Sequence, residues 1–256
     1  MLSTTSIAKE LSKNIIIYPF KEKLLKGIGY NLTVSPFAWS LRTKKRLKMN
    51  LANTHHIVEP GDTALIQTNE TVWVSKKIGG TFQSKVDRMS EGFSAISTTL
   101  DPGWVGPLLV AITNMTSSPI ELRKEDSFVT VIFHYIKKAP IPHSNNAAAR
   151  LDRLASLGIL LDDDFNNWYK HDFRTSVRAL KTVFKTDENY VEFKNKNMKR
   201  IIISKITPYI PAITIFFVIS YLIIIGGFAK KQQIGAFIGA LIVAISFGYN
   251  AVNNKA

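Results

Sequence analysis

The sequence predicts a mainly β N-terminal domain, folded as a compact barrel or jelly roll, then a helical linker and two transmembrane helices. Three observations support this prediction. Short apolar or alternating runs fill residues 1–140, leucines at helical spacing follow residue 150, and two long uncharged runs occupy 208–228 and 234–252. The predicted domains are therefore 1–140, 141–205 and 206–253.

The composition favours an anionic partner. Lys and Arg number 33 against 19 Asp and Glu, which gives a net charge of +14 at pH 7. Such a surplus suits a nucleotide, a nucleic acid or an anionic lipid surface. Direct nucleic-acid binding is not predicted, because net charge is the only feature in its favour. Cysteine is absent and the histidines show no metal-ligand spacing, so no metal site is predicted.

The N-terminal domain begins with a short helix and continues as strands. The segment TSIAKELSK has a Thr/Ser cap, with Ile7 and Leu11 at i, i+4 spacing, which predicts the helix. The strand-like runs after it include NIIIY, YNLTVSPFAW, TALIQT, TVWVS, GPLLVAIT and FVTVIFHYI. Turn signals such as EPGD, KKIGG and LDPGW separate them. Many short strands at this spacing predict the barrel or jelly roll.

The helical linker combines an apolar face with a basic one. The apolar positions of its first helix are Leu151, Leu154, Leu157 and Leu161. Those of the second are Phe173, Val177, Leu180 and Phe184, next to a basic stripe of Arg174, Arg178, Lys181 and Lys185. This pattern fits a stalk packed on itself, a helix lying on anionic lipid, or a solvated surface helix.

Two uncharged runs predict a transmembrane hairpin. Residues 208–228 are long enough to cross about 30 Å of hydrocarbon as a helix, and the short loop AKKQQ leads into the second run, 234–252. The flank KNKNMKRIIISK holds five Lys and Arg against two in the loop, which predicts a cytoplasmic flank. No secretory signal precedes the domain. We therefore expect a two-pass membrane protein, in contact with lipid, whose β domain is cytoplasmic.

Several motifs occur in the order and spacing of a known superfamily. They are the EPGD turn at 59–62, the DPGW turn at 101–104 with Gly106, Asn114, and the PIELR strand at 119–123. Across about residues 2–136 the chain resembles the dCTP deaminase branch of the trimeric dUTPase superfamily. The resemblance implies a dUTPase-like distorted β-barrel or jelly roll, a homotrimer, and nucleotide sites shared between subunits.

The resemblance also implies a site without its catalytic base. In deaminases of this superfamily the base is a Glu on the strand after the DPGW turn, a position that Ala111 occupies here. A methyl group cannot transfer protons, and losing a general base costs about 10²–10⁴-fold in rate. Asp101 matches the catalytic Asp of dUTPases, and Trp104 matches their aromatic residue that stacks on deoxyribose. Capping of its own turn is an equally good explanation for Asp101.

The stretch that would bind phosphates is altered. Lys85 stands where the family has its first Arg, Ser90 stands about where the second would be, and Arg88 is nearby. Val86 and Asp87 replace two serines, and the Asp would repel a phosphate. The predicted nucleotide-binding residues are Lys85, Arg88, Ser90, Thr98, Thr99, Asp101 and Trp104. No cofactor is predicted, apart from Mg²⁺ accompanying a bound triphosphate.

Three functions remain open at this point. The first is a catalytically inactive sensor of a nucleotide or nucleotide-derived small molecule. It would act on the membrane through the hairpin, by analogy with effectors of bacterial antiphage defence. The second is a membrane-tethered dCTP deaminase or dUTP diphosphatase that uses Asp101. The third is a membrane scaffold whose barrel serves only to form a trimer.

Overall fold

The structure is a computed structural model that describes residues 1–50, 52, 54–94, 96–137 and 148–206, with the isolated residues 214, 217, 221, 235 and 239. The chain forms two compact units, Met1–Val191 and Glu192–Ala256. The first unit holds every strand of the described residues. In the second, the described residues up to 206 are helical.

The described part of the first unit contains ten strands. They are β1 (Ile15–Tyr18), β2 (Leu25–Lys26), β3 (Gly29–Ser40), β4 (His55–Val58), β5 (Thr63–Val74), β6 (Ile78–Ser84), β7 (Thr99–Leu100), β8 (Val105–Thr113), β9 (Ile120–Arg123) and β10 (Ser127–Tyr135). The described helices of the chain are α1 (Thr4–Glu10), α2 (Val86–Ser90), α3 (Leu151–Ser156), α4 (Asp163–Tyr169), α5 (Val177–Thr186) and α6 (Glu188–Ile206). The prediction of a mainly β N-terminal half that opens with a short helix is confirmed.

The strands form one large antiparallel sheet and one small one. The large sheet runs in the order β1-β5-β3-β10-β6-β7, with β2 paired to β3 and β8 paired to β5. The small sheet consists of β4 and β9. On β8 the side chains alternate, because Leu108, Val110 and Ile112 are buried whereas Leu109 and Ala111 are not. One face of β8 therefore packs into the core and the other is left for a second layer.

Residues 149–174, which we call the outer layer, cover the other face of the sheet. The ring of Phe165 lies 5.2 Å from the rings of both Phe37 and Trp39, measured between centroids. Leu154 and Ile159 belong to the same buried cluster. The leucines of the apolar face therefore pack on the sheet that precedes them in the chain. The domain boundaries at 140/141 and 205/206 stay a prediction.

Polar contacts fix α4 at its first turn. Oδ1 of Asp162 accepts a hydrogen bond of 2.8 Å from the backbone N–H of Phe165 and so caps the helix. The other carboxylate oxygen accepts from the guanidinium of Arg46 at 2.8 Å, and Arg46 also donates to the carbonyl of Pro36 at 3.1 Å. The ion pair joins the loop between β3 and β4 to the outer layer.

The prediction of two transmembrane helices is wrong, because the structure contradicts it. Among the residues that the structure describes, no helix combines the length and the apolar character that crossing a bilayer requires. The predicted two-pass membrane location is therefore wrong as well. The antiphage effector role, which depended on the hairpin, loses its structural basis. Apart from the five isolated residues, 208–228 and 234–252 lie outside the described residues. An uncharged run satisfies the length condition for a span without establishing a membrane helix.

The aromatic contact at Phe165 predicts the cost of detaching the outer layer. Phe165→Ala should lower the free energy of unfolding by about 3–5 kcal/mol, because it leaves a cavity between two aromatic rings of the sheet. The measurement is urea unfolding of the full chain. Leu160→Ala is the control, since Leu160 is 90% exposed and its loss should cost less than about 0.5 kcal/mol. Equal effects of the two substitutions would contradict the packing described above.

Candidate functional site

The DPGW turn places Asp101 and Trp104 at the surface. Gly103 has φ 85°, a left-handed conformation that favours glycine, and the N–H of Trp104 donates to the carbonyl of Asp101 at 3.2 Å. The indole Nε1–H donates to the carbonyl of Gly106 at 3.0 Å, which fixes the ring. Thr99 Oγ1 donates to the exposed carboxylate of Asp101 at 3.5 Å. The turn thus presents an oriented carboxylate and a half-buried aromatic ring.

Arg88 is a predicted phosphate ligand on α2. It already has two carboxylate partners. Its guanidinium lies 2.6 Å from Oε2 of Glu91 and 3.3 Å from Oδ2 of Asp126. The side chain is 17% exposed. A phosphate that approaches the guanidinium would compete with these two carboxylates.

Lys85 and Ser90 are also engaged within the chain. The ammonium of Lys85 donates to Oγ of Ser127 at 2.5 Å and lies 3.9 Å from the carboxylate of Asp87. The hydroxyl of Ser90 donates to the carbonyl of Asp87 at 2.7 Å. Both predicted ligands therefore stabilise α2 and the adjacent end of β10.

Within one chain, the predicted site residues form two separate groups. Leu100 pairs with Gly80, so Asp101 lies opposite the start of β6, whereas Lys85 follows the end of that strand. About six residues of strand separate the two levels, which corresponds to about 20 Å. Thr98 and Thr99 lie between them, and both are exposed. The two groups therefore lie near opposite ends of β6.

Ala111 lies on the outward face of β8, beside a cavity of about 320 Å³. The apolar part of the lining comes from Leu41, Leu65, Leu109, Ala111 and Leu157. The polar part comes from Thr63, Arg150 and Arg153. No carboxylate is among the described residues that line the cavity. The position that the resemblance assigns to the catalytic base therefore lines a cavity whose lining also includes Arg150 and Arg153.

The two arginines of this cavity are functional candidates that sequence reasoning missed. They stand three residues apart in the stretch AAARLDRLASLG, next to the leucines of the predicted apolar face. Their spacing puts both on one side of a helix, and that signal was present. Local spacing does not show which strand the two arginines face, because that depends on how the outer layer packs on the sheet.

Glu70 on β5 is a second group that the sequence did not single out. It is 1% exposed, and its carboxylate accepts hydrogen bonds from the N–H of Thr33 at 2.8 Å and from Oγ1 of Thr33 at 2.7 Å. Burial raises the pKa of Glu70 to about 7, and the hydrogen bonds from Thr33 oppose that rise only in part. Burial thus moves the ionisation of Glu70 towards neutral pH.

Metal ligands do not gather in the part of the chain that the structure describes, because no group of three or more His, Asp or Glu is arranged to hold a metal ion there. The expectation on cofactors stays a prediction.

Comparison with known proteins gives similarities over the N-terminal half of the chain. The family described as dCTP deaminase-like matches residues 1–136. The dCTP deaminase of Pyrococcus horikoshii is 29% identical over 142 residues, covering 54% of this chain and 86% of the relative. That of Pyrococcus furiosus is 30% identical over 124 residues, covering 48% and 78%. The native dUTPase structure of EIAV aligns with 52% of this chain and 97% of its own, at 21% identity and a TM-score of 0.37.

Residues 1–136 therefore form a dCTP deaminase-like domain. The chain belongs to the dCTP deaminase-like family.

The raised pKa of Glu70 predicts a pH dependence of stability. In the unfolded chain its pKa is near 4.5, and in the folded chain it is about 7. The folded state therefore holds the proton more tightly, so this contribution is complete below about pH 4.5 and is lost as the pH rises towards 7. Because Glu70→Gln cannot ionise, its free energy of unfolding relative to the wild type should rise by up to about 3 kcal/mol over that interval.

Urea unfolding of both proteins at about pH 5, 6, 7 and 8 measures this difference. Glu188→Gln, at an exposed position of α6, is the matched control and should show a much smaller change with pH. A constant difference between Glu70→Gln and the wild type over the whole interval would contradict the prediction.

Proposed function

We propose that the dCTP deaminase-like domain binds a nucleotide without deaminating it. The observation that carries this proposal is the cavity beside Ala111, where a methyl group stands at the predicted base position and the described lining offers two guanidinium groups and no carboxylate. Deamination requires a group that takes a proton from water and returns it. Losing such a base costs about 10²–10⁴-fold in rate.

Other features support nucleotide binding. The DPGW turn presents a carboxylate and the indole of Trp104, and the exposed hydroxyls of Thr98 and Thr99 lie just before it. An indole offers a flat apolar surface to a sugar or a base. The net charge of +14 favours the approach of an anionic ligand. With a triphosphate, Mg²⁺ would accompany the ligand rather than bind to the protein in advance.

A homotrimer with sites shared between subunits is part of the proposal. The resemblance to trimeric dUTPases suggests it, and the separation of about 20 Å between the Lys85 and Asp101 levels of one chain supports it. In such an assembly the turn of one subunit and α2 of its neighbour would contact the same ligand.

Two other functions compete with this one. A dCTP deaminase or dUTP diphosphatase that uses Asp101 is favoured by the relatives, which are named dCTP deaminases. A purely structural, trimer-forming domain is favoured by Arg88, whose charge is already paired with Glu91 and Asp126.

Binding and turnover, measured together, separate these functions. With dCTP and dUTP we expect heat of binding in calorimetry but ammonia release at least about 10²-fold slower than from a dCTP deaminase relative assayed in parallel. Trp104→Ala should weaken binding by about threefold to tenfold, because it removes the stacking surface. Val191→Ala, which truncates an exposed apolar side chain, is the control.

The remaining outcomes point elsewhere. Ammonia or diphosphate release at the rate of the relative, abolished by Asp101→Asn, would establish an enzyme. Absence of binding for both nucleotides would leave the structural function.

A further inference from the structure

The cavity beside Ala111 is lined partly by residues that lie outside the matched family region. Its floor is formed by β5 and β8 of the dCTP deaminase-like domain, through Leu65, Leu109 and Ala111. Its opposite wall is formed by Arg150, Arg153 and Leu157, which follow the matched residues 1–136. The outer layer thus partly covers one exposed face of β8 and leaves a cavity that is open to solvent.

The alternation on β8 explains why a cavity remains there. Val110 and Ile112 point into the core, so Leu109 and Ala111 point towards the outer layer. Between large leucines, the methyl group of Ala111 fills little of the available volume. The resulting space of about 320 Å³ lies at the lower end of the range of about 300–1,000 Å³ that is usual for ligand sites. Its size suits a compact ligand rather than a triphosphate.

The wall that carries the arginines is held in place by buried contacts. Ala149 and Arg150 both adopt left-handed backbone conformations, with φ 59° and 52°, which are costly for residues other than glycine. The side-chain amide of Gln67, itself fully buried, donates to the carbonyl of Ala149 at 2.6 Å and holds this turn against β5. Leu154, one turn further on, is also fully buried. The cavity is therefore preformed.

The charge of the wall suits an anion. Arg150 lies 3.3 Å from the carboxylate of Asp152, an ion pair between partly exposed side chains that is weakly held. Arg153 is exposed and has no ion-pair partner among the described residues. Guanidinium groups bind phosphate and carboxylate through paired hydrogen bonds. An anionic ligand can thus bind to Arg153 directly and compete with Asp152 for Arg150.

We infer that this cavity binds a small organic anion of the size of a nucleoside monophosphate, with its apolar body against Leu65, Leu109 and Ala111 and its anionic group on Arg150 and Arg153. The inference rests on the proposed function and names residues for it outside the matched family region. The outer layer then acts as part of the ligand site. The ligand and the packing of the outer layer stabilise each other.

The test is calorimetric titration of the full chain with dUMP and dCMP, with inorganic phosphate and deoxyuridine as the two partial ligands. Arg150→Gln combined with Arg153→Gln should weaken binding of the monophosphates by at least about tenfold, since charge-assisted hydrogen bonds are lost. Asp152→Asn should strengthen it, because it removes the competing carboxylate. Arg178→Gln combined with Lys185→Gln is the charge-matched control, because both residues are exposed on α5, and it should change the affinity by less than about twofold.

Filling the cavity gives an independent measurement. Ala111→Phe should abolish binding while leaving the circular dichroism spectrum unchanged. Where that variant fails to fold, the arginine and Asp152 variants decide alone.

Two results overturn the inference in distinguishable ways. Wild-type affinity in the double arginine variant would show that a nucleotide binds elsewhere, and the proposed function would stand. Failure of the wild type to bind any mononucleotide or triphosphate would overturn the proposed function and this site with it.

Discussion

The contact between the outer face of the large sheet and residues 149–174 is the constraint on which the rest of the first unit depends. β3 is buried along nearly its whole length, which requires cover on both faces. Inside the barrel that cover is the core, and outside it is Phe165, packed edge-on against Phe37 and Trp39. A sheet with two such aromatic side chains facing water would be unstable alone and prone to association. The helices that follow the matched family region thus bury apolar surface of its sheet.

Polar side chains near one irregular point of β5 contact both the outer layer and the core. Pairing of β5 with β8 shifts between Gln67 and Thr71, so neighbouring polar side chains can point to both sides of the sheet. Outward, Thr71 accepts a hydrogen bond of 3.4 Å from Arg174, a buried cation stacked on the ring of Trp168 at 3.7 Å. Burial lowers the pKa of Arg174 to about 10. Inward, Glu70 is held by Thr33. One break in a strand therefore fixes both the core and the outer layer.

The sequence was sufficient for features that depend on local chemistry. The DPGW turn, the short N-terminal helix and the strand-like runs follow from residue type and spacing, and the leucines at 151, 154 and 157 follow from helical periodicity. Features that depend on which surfaces meet could not be found in this way. The pairing of Arg46 with Asp162 joins positions 116 residues apart, and the engagement of Arg88 by Asp126 requires the register of β6 against β10. Length and hydropathy were also insufficient for the predicted membrane helices, since no helix of the described residues meets the conditions for a span.

The presence of alanine at position 111, where the resemblance predicts a carboxylate, has an electrostatic aspect as well as a steric one. A carboxylate general base works best when its pKa lies near the working pH, which burial among apolar groups or other acids achieves. Beside Arg150 and Arg153 the environment is the opposite, because two cations favour the ionised form and weaken its attraction for a proton. On the function proposed above, the arginines that would bind an anion beside Ala111 would also disfavour a general base at that position.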